Sequence, residues 1–312
     1  DPATLVNETV EQLVRVADLA TRDASAGAAR PVPLAEVLDA VRASLDATMG
    51  AACVATPYPA LNSFLGGGFF PGELIYIGSR PGIGKTSLAL EIARRAGRSG
   101  VSVLIVSREM MNVAVARRLI AQDARVDASA LRSGRLGDGE RAAVAAALPR
   151  LAKLPIWLTD AVISITEITR MVAAWNETAW SEITPLGLLI VDYLQLVRAP
   201  RDIRERRLQV EAVSQGLKTL ALSTKIPVLC LSSLARPAQG ASQRPTLASL
   251  RESGELEHDA DIVFLLHREP LKSETECIIA KNRDGRVGTA NLLFRAPFVA
   301  FDEAAVREEA EG

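Results

Sequence analysis

Residues 74–87, Leu-Ile-Tyr-Ile-Gly-Ser-Arg-Pro-Gly-Ile-Gly-Lys-Thr-Ser, constrain this chain more than any other stretch. An apolar run of strand length feeds a glycine-rich turn, and the helix-forming residues Leu88 to Ala93 follow. A strand, tight turn and helix in immediate succession call for a layered α/β fold. The turn also points to chemistry. The backbone of Ser79, Arg80, Pro81, Gly82, Ile83 and Gly84 can wrap a phosphate chain. Lys85 can reach β- and γ-phosphates, the Thr86 hydroxyl suits Mg²⁺, and Ser87 continues a helix start whose dipole favours an anion. Ser79 stands where the P-loop pattern has its first glycine, with Gly78 one residue earlier, and Gly82 restores backbone freedom inside the loop. The plain alternative, a Gly/Pro connection between strand and helix, leaves the adjoining Lys85-Thr86 unexplained.

Downstream, apolar strand signals at 74–78, 102–107, 187–192, 227–232 and 261–266 alternate with helical ones at 85–97, 112–122, 138–151, 164–176 and 206–223. That alternation predicts a mostly parallel sheet covered by helices on both faces. After residue 274 the pattern turns to short β-like runs at 277–280, 289–294 and 298–301, with Asp284-Gly285 as a hairpin signal. Upstream, residues 4–22 carry a helical apolar stripe, 23–33 form a Gly/Pro-punctuated linker, and a second amphipathic helix begins at Leu34. The first helix either packs on its own domain or docks on a neighbouring subunit. The expected organisation is a linker helix and flexible linker over 1–33, an ATPase domain over 34–303 and an acidic tail over 304–312.

Composition narrows the function classes. Net charge is −1, so no global basic field advertises nucleic acid, and any such contact must come from a local cluster. Aromatics at 4% offer no obvious base-stacking platform. Three widely spaced cysteines, Cys53, Cys230 and Cys277, make neither a disulfide framework nor a zinc site. With no apolar run of membrane-spanning length and no signal pattern, the expected location is cytoplasmic. The chain begins at Asp1 rather than Met, which leaves open whether a domain precedes it.

Two acids complete a hydrolytic set. Leu188 to Asp192 is an apolar strand ending in a carboxylate, a position that holds Mg²⁺, usually through water, in P-loop enzymes. Glu109 follows the strand Val103 to Val106 and can activate water beside a γ-phosphate. A surface glutamate at a strand end is an equal alternative. Lys281 and Arg283, two apart, read as one face of a solvated hairpin strand. Arg198, Arg201, Arg204, Arg206 and Arg207 read most simply as a solvated loop and helix start.

Ile190-Val-Asp-Tyr-Leu-Gln-Leu196, Leu250-Arg-Glu-Ser-Gly254 and Ala280-Lys-Asn-Arg283, together with the P-loop, resemble the C-terminal motor domain of DnaB-type replicative DNA helicases, a RecA-like family. The resemblance covers nearly the whole chain. It implies an ATP- and Mg²⁺-dependent motor working as a homo-hexameric ring on single-stranded or forked DNA, with 5′→3′ polarity, a helicase loader and primase as partners, and no membrane. It implies that Lys85 and Thr86 bind phosphate and Mg²⁺, that Asp192 assists the metal and that Glu109 polarises the attacking water. Arg283 and Lys281 would enter the adjacent subunit's site. Arg198, Arg201, Arg204, Arg251, Glu252 and Gly254 would face the strand. Residues 4–22 resemble the linker helix, and the family's N-terminal domain is absent. The chain departs from the family at Ser79, at Arg108, and at Ser233 and Ala235, where a glutamine and an asparagine are usual. Two other readings remain open: a RecA-like recombination or branch-migration ATPase, and a degenerate paralogue acting as a DNA- or nucleotide-binding scaffold.

Overall fold

The computed structural model describes residues 34–35, 38, 53–161, 164–177, 185–200, 203–234, 244–250 and 254–304. The chain divides into two compact units, Asp1–Thr48 and Met49–Gly312. In the first, Leu34, Ala35 and Leu38 are helical and exposed. The helix expected over 4–22 and its linker lie outside the described residues.

In the second unit the elements are α1 (Pro59–Phe64), β1 (Leu74–Ser79), α2 (Lys85–Arg98), β2 (Ser102–Ser107), α3 (Asn112–Ala124), α4 (Ala128–Ser133) and α5 (Asp138–Ala152). They continue as β3 (Ile156–Thr159), α6 (Ile165–Glu177), β4 (Leu186–Asp192), α7 (Arg206–Thr224), β5 (Val228–Ser233), α8 (Gly254–Asp259), β6 (Ile262–His267), β7 (Glu274–Asn282), β8 (Gly288–Arg295) and β9 (Ala300–Glu303). The described strands form one sheet ordered β3-β2-β4-β5-β1-β6-β7-β8-β9. The run from β3 to β6 is parallel, and β6 to β9 are antiparallel.

The strand sequences explain the layering. Ile75, Ile77, Val103, Ile105, Leu188, Ile190, Leu229 and Leu231 pack into one core, under α2 and α3. Their neighbours Leu74, Tyr76, Leu104, Val106, Leu189, Val191, Val228 and Cys230 pack into the other, under α6 and α7. Because successive strand residues face opposite sides, only a continuous apolar run fills both cores. Each such buried side chain contributes about 1.5–3 kcal/mol. At the start of α6, Ser164 and Glu167 form a reciprocal cap: the Ser164 N–H donates to Glu167 Oε2 (2.9 Å) and the Glu167 N–H to Ser164 Oγ (3.2 Å). On the first face Asp123, its side chain fully buried, ties three elements together by accepting from Arg94, Arg98 and Arg150. Those guanidinium groups hold its carboxyl below the usual range against the effect of burial.

One half-buried acid gives the fold a pH dependence. Glu73, just before β1, accepts the Phe70 N–H at 2.7 Å, yet burial first, then the nearby Asp261 and Asp284 carboxylates, raise its pKa to about 7. A folded-state pKa above the unfolded one gives stability that is present below the unfolded value, about 4.3, and lost as pH rises through about 7. Glu73→Gln is therefore expected to raise the melting temperature at about pH 8 and to change it little at about pH 5. Parallel melting curves for the two proteins at both pH values would refute this.

Candidate active site

The carboxyl ends of β1, β2, β4 and β5 converge on a cleft of about 300 Å³. Such an edge is where open parallel sheets carry their sites. Its floor is the loop from β1 to α2. Gly84 caps α2 at φ 116° with no side-chain cap, so the first helix amides face the cleft. Only glycine suits this position. A Cβ there would meet Phe301 Cζ at 2.8 Å, and the backbone is left-handed. Gly82 has open space around it but φ 81°, so there conformation rather than room sets the requirement.

Lys85, Thr86, Asp192 and Glu109 come together here. Thr86 Oγ1 donates to Asp192 Oδ2 at 3.0 Å, and Lys85 Nζ lies 3.4 Å from Glu109 Oε2. Lys85 is nearly buried and also stands over the Tyr193 ring, 5.1 Å from its centroid. Glu109 is 46% exposed, so water weakens its ion pair and leaves Lys85 able to turn to a phosphate oxygen. Burial raises the Asp192 pKa, opposed chiefly by Lys85 and then by Thr86. Its Oδ1 is buried and has no hydrogen-bond partner. A buried oxygen with a free lone pair, beside a threonine hydroxyl, is the hard donor set that Mg²⁺ takes.

The loop is held from behind. Arg268 donates to the carbonyls of Ile83 (2.8 Å) and Gly82 (3.0 Å) and stacks on Phe294, 4.3 Å from the ring centroid. Behind α2, Glu91 accepts from Tyr58 Oη (2.5 Å) and from the Phe301 N–H (2.8 Å). Ser79, Pro81, Ser87 and Ser233 line the cleft, whereas Arg80 and Ile83 are not among its lining residues. Arg118, Tyr193, Phe294 and Val299 line it as well and were not singled out from the sequence. Tyr193 sits inside the Asp-Tyr-Leu-Gln-Leu segment, where its neighbour Asp192 drew the reading. The other three become neighbours of the loop only through tertiary structure.

Lys281 and Arg283 lie elsewhere. The expectation that both share one strand face is corrected. β7 ends at Asn282, opposite Ile262, because its partner β6 begins there. Arg283 is past the ladder. Its N–H donates to the Asp261 carbonyl (2.9 Å) and its Nη1 to Asp261 Oδ1 (3.1 Å). Lys281 Nζ donates to the Glu257 carbonyl at 2.6 Å. Burial, followed by the Arg283 charge, lowers the Lys281 pKa. Asp261 is bonded to the first residue of β1, its N–H to the Leu74 carbonyl (2.9 Å) and its Oδ2 to the Leu74 N–H (2.8 Å). The phosphate loop leaves the other end of β1, about 17 Å away for six residues of strand. Arg283 is thus remote from the cleft of its own chain.

Among the strand-contact candidates, Arg198 and Arg204 are exposed near the same sheet edge as the cleft, and Gly254 begins α8. Arg201, Arg251 and Glu252 lie outside the described residues, as does Ala235.

The family model for the DnaB-like helicase C-terminal domain matches residues 53–303. The replicative DNA helicase DnaB of Treponema pallidum (strain Nichols) is 36% identical over 253 residues, which are 80% of this chain and 55% of that protein. The replicative DNA helicase DnaB of Leifsonia xyli subsp. xyli (strain CTCB07) is 32% identical over 288 residues, 88% of this chain and 62% of that protein. Among solved structures, an ATPase domain superposes with a TM-score of 0.81 at 27% identity, covering 88% of this chain and all of that one. A DnaB-like replicative helicase, solved for its interactions with primase, gives 0.77 at 28% identity, covering 92% of this chain and 70% of that one. The chain spans somewhat over half the length of the curated relatives it matches.

Proposed function

We propose, from the premise that this chain belongs to the DnaB-like helicase C-terminal domain family, that it is the ATP-hydrolysing motor of a replicative DNA helicase. The observation that carries the reading is the convergence of Lys85, Thr86, Asp192 and Glu109 beside an uncapped helix N-terminus. In this reading the phosphates of ATP lie against the first amides of α2, where the helix dipole and Lys85 offset their charge. Thr86 and Asp192 would hold Mg²⁺, which supplies charge neutralisation on the phosphates. Glu109, half exposed, is open to water. It orients the attacking molecule and accepts its proton as the new bond to the γ-phosphorus forms and ADP leaves.

Arg283, with Lys281 beside it, serves the site of the next copy rather than its own. Its distance from the cleft within one chain supports this division of labour. The assembly is a homo-hexameric ring, and the strand passes Arg198, Arg201, Arg204, Arg251, Glu252 and Gly254. Arginine and backbone amides hold phosphates without reading bases, as a translocating motor requires. Residues 34–303 are the motor and 1–33 the linker helix and linker to a neighbouring copy. A helicase loader and primase are the further partners.

The test is strand separation of a forked duplex by the purified chain with ATP. Separation is expected for the parent and not for Lys85→Ala. A parent that forms rings and hydrolyses ATP but never separates the fork would overturn the helicase assignment.

A further inference from the structure

A second hollow, of about 570 Å³, opens on the same sheet edge as the nucleotide cleft. Arg108, Arg198 and Arg206 line it, with the amides of Gln195 and Gln209, and no carboxylate is among its described lining residues. It lies at the start of α7, a 19-residue helix whose N-cap, Glu205, makes no side-chain cap, so the helix adds positive potential there. Arg108 is the unusual member. Its N–H donates to the Asp192 carbonyl at 2.7 Å and its Nη1 to the Asp160 carbonyl at 2.5 Å. Its Nε is buried with no hydrogen-bond partner. A buried guanidinium N–H without an acceptor is costly, and a phosphate oxygen is the acceptor whose geometry a guanidinium fork fits best.

Two short routes join this hollow to the nucleotide cleft. The first is the chain itself, since Arg108 is followed by Glu109 and its backbone is pinned to Asp192. The second is Gln195, which lines the hollow. Its Nε2 donates to Ser232 Oγ (3.0 Å) and its Oε1 accepts the N–H of Ser233, a residue of the nucleotide cleft (3.3 Å). Arg206 closes the link by donating to the Gln195 carbonyl.

We propose that this hollow receives a backbone phosphate of the bound single strand, and that Arg108 relays its presence to Glu109. This rests on the motor reading above. It adds Arg108 and Arg206 to the strand contacts and fixes one contact beside the hydrolytic glutamate. A half-open hollow with three guanidinium groups suits a chain passing by, and no base-reading geometry is needed.

The experiment measures anisotropy of a labelled oligothymidylate across a salt series, and hydrolysis at saturating oligothymidylate, for the parent, Arg108→Gln, Arg108→Lys and Arg198→Gln. Arg108→Gln is expected to weaken binding about tenfold and to lower the salt slope by about 0.7, the share of one single-strand phosphate. Its DNA stimulation of hydrolysis should stay low even at saturation, whereas saturation should restore that of Arg198→Gln. Arg108→Lys keeps the charge and is expected to keep the parent's slope. It is the variant to read should glutamine unfold the protein, and a slope as low as that predicted for glutamine would overturn the assignment. An unchanged affinity and slope in a folded Arg108→Gln would overturn the site while leaving the motor reading intact. A parent that binds no oligothymidylate would sink the motor reading itself. Competition by inorganic phosphate, at matched ionic strength, that vanishes in Arg108→Gln without any change in oligothymidylate affinity would assign the hollow to free phosphate and overturn the strand contact.

Discussion

Arg283→Ala is expected to lower ATP hydrolysis by about 10³–10⁵-fold, the range over which a guanidinium supplied in trans acts. The size follows from the chemistry. Negative charge builds on the transferring phosphoryl group, and a positive donor fixed in place stabilises it without reorganising water. The position of Arg283, anchored to Asp261 at the far end of β1 from the phosphate loop, makes a specific outcome testable. Mixing Arg283→Ala subunits with Lys85→Ala subunits should restore activity, because an intact site of the first can meet an intact arginine of the second. Titration of one inactive protein into the other reads this directly. A mixture as silent as either protein alone, in rings shown to contain both, would rule out action in trans. Retention of full activity in Arg283→Ala would remove the residue from catalysis altogether.

Glu109→Gln is expected to cost about 10²–10⁴-fold in turnover, the usual contribution of a positioned general base. Glutamine keeps the size and can still orient water, but it cannot take the proton. Nucleotide affinity should fall little, because the Lys85–Glu109 contact is half exposed and contributes at most about 1 kcal/mol. Freed from that partner, Lys85 can bind phosphate at least as well. The variant should therefore hold ATP and strand together and fail to release them, as turnover and equilibrium nucleotide binding measured side by side would show. Turnover close to the parent's would assign the base to another group.

The physical basis of these predictions was unevenly legible in the sequence. The parallel strands could be read because each must fill two cores, which forces an uninterrupted apolar run. The phosphate loop could be read because its glycines and Lys85-Thr86 are contiguous. β3 was missed. It has only four residues, Ile156–Thr159, all half-buried at the sheet edge, so neither length nor alternation marks it. The helices α1, α4 and α8 have six residues each, too few to show a period. β7 extends three residues upstream of the run read from its apolar residues, because Glu274 and Glu276 alternate with buried Thr275 and Cys277. The support of the phosphate loop by Arg268, and the bridge from Gln195 to Ser232 and Ser233, join residues that only strand order brings together. No local pattern carries that information.

The separation of Arg283 from its own cleft along β1 also has an arithmetic consequence. In the arrangement proposed above, each copy has one edge that gives an arginine and another that receives one, so contacts between copies would run head to tail. In an open row the copy at one end has a cleft that nothing completes, and the copy at the other has an arginine with no site to serve. Closing the row into a circle removes both ends at once. Closure then adds one working site without adding a subunit, and every break in the circle silences one site.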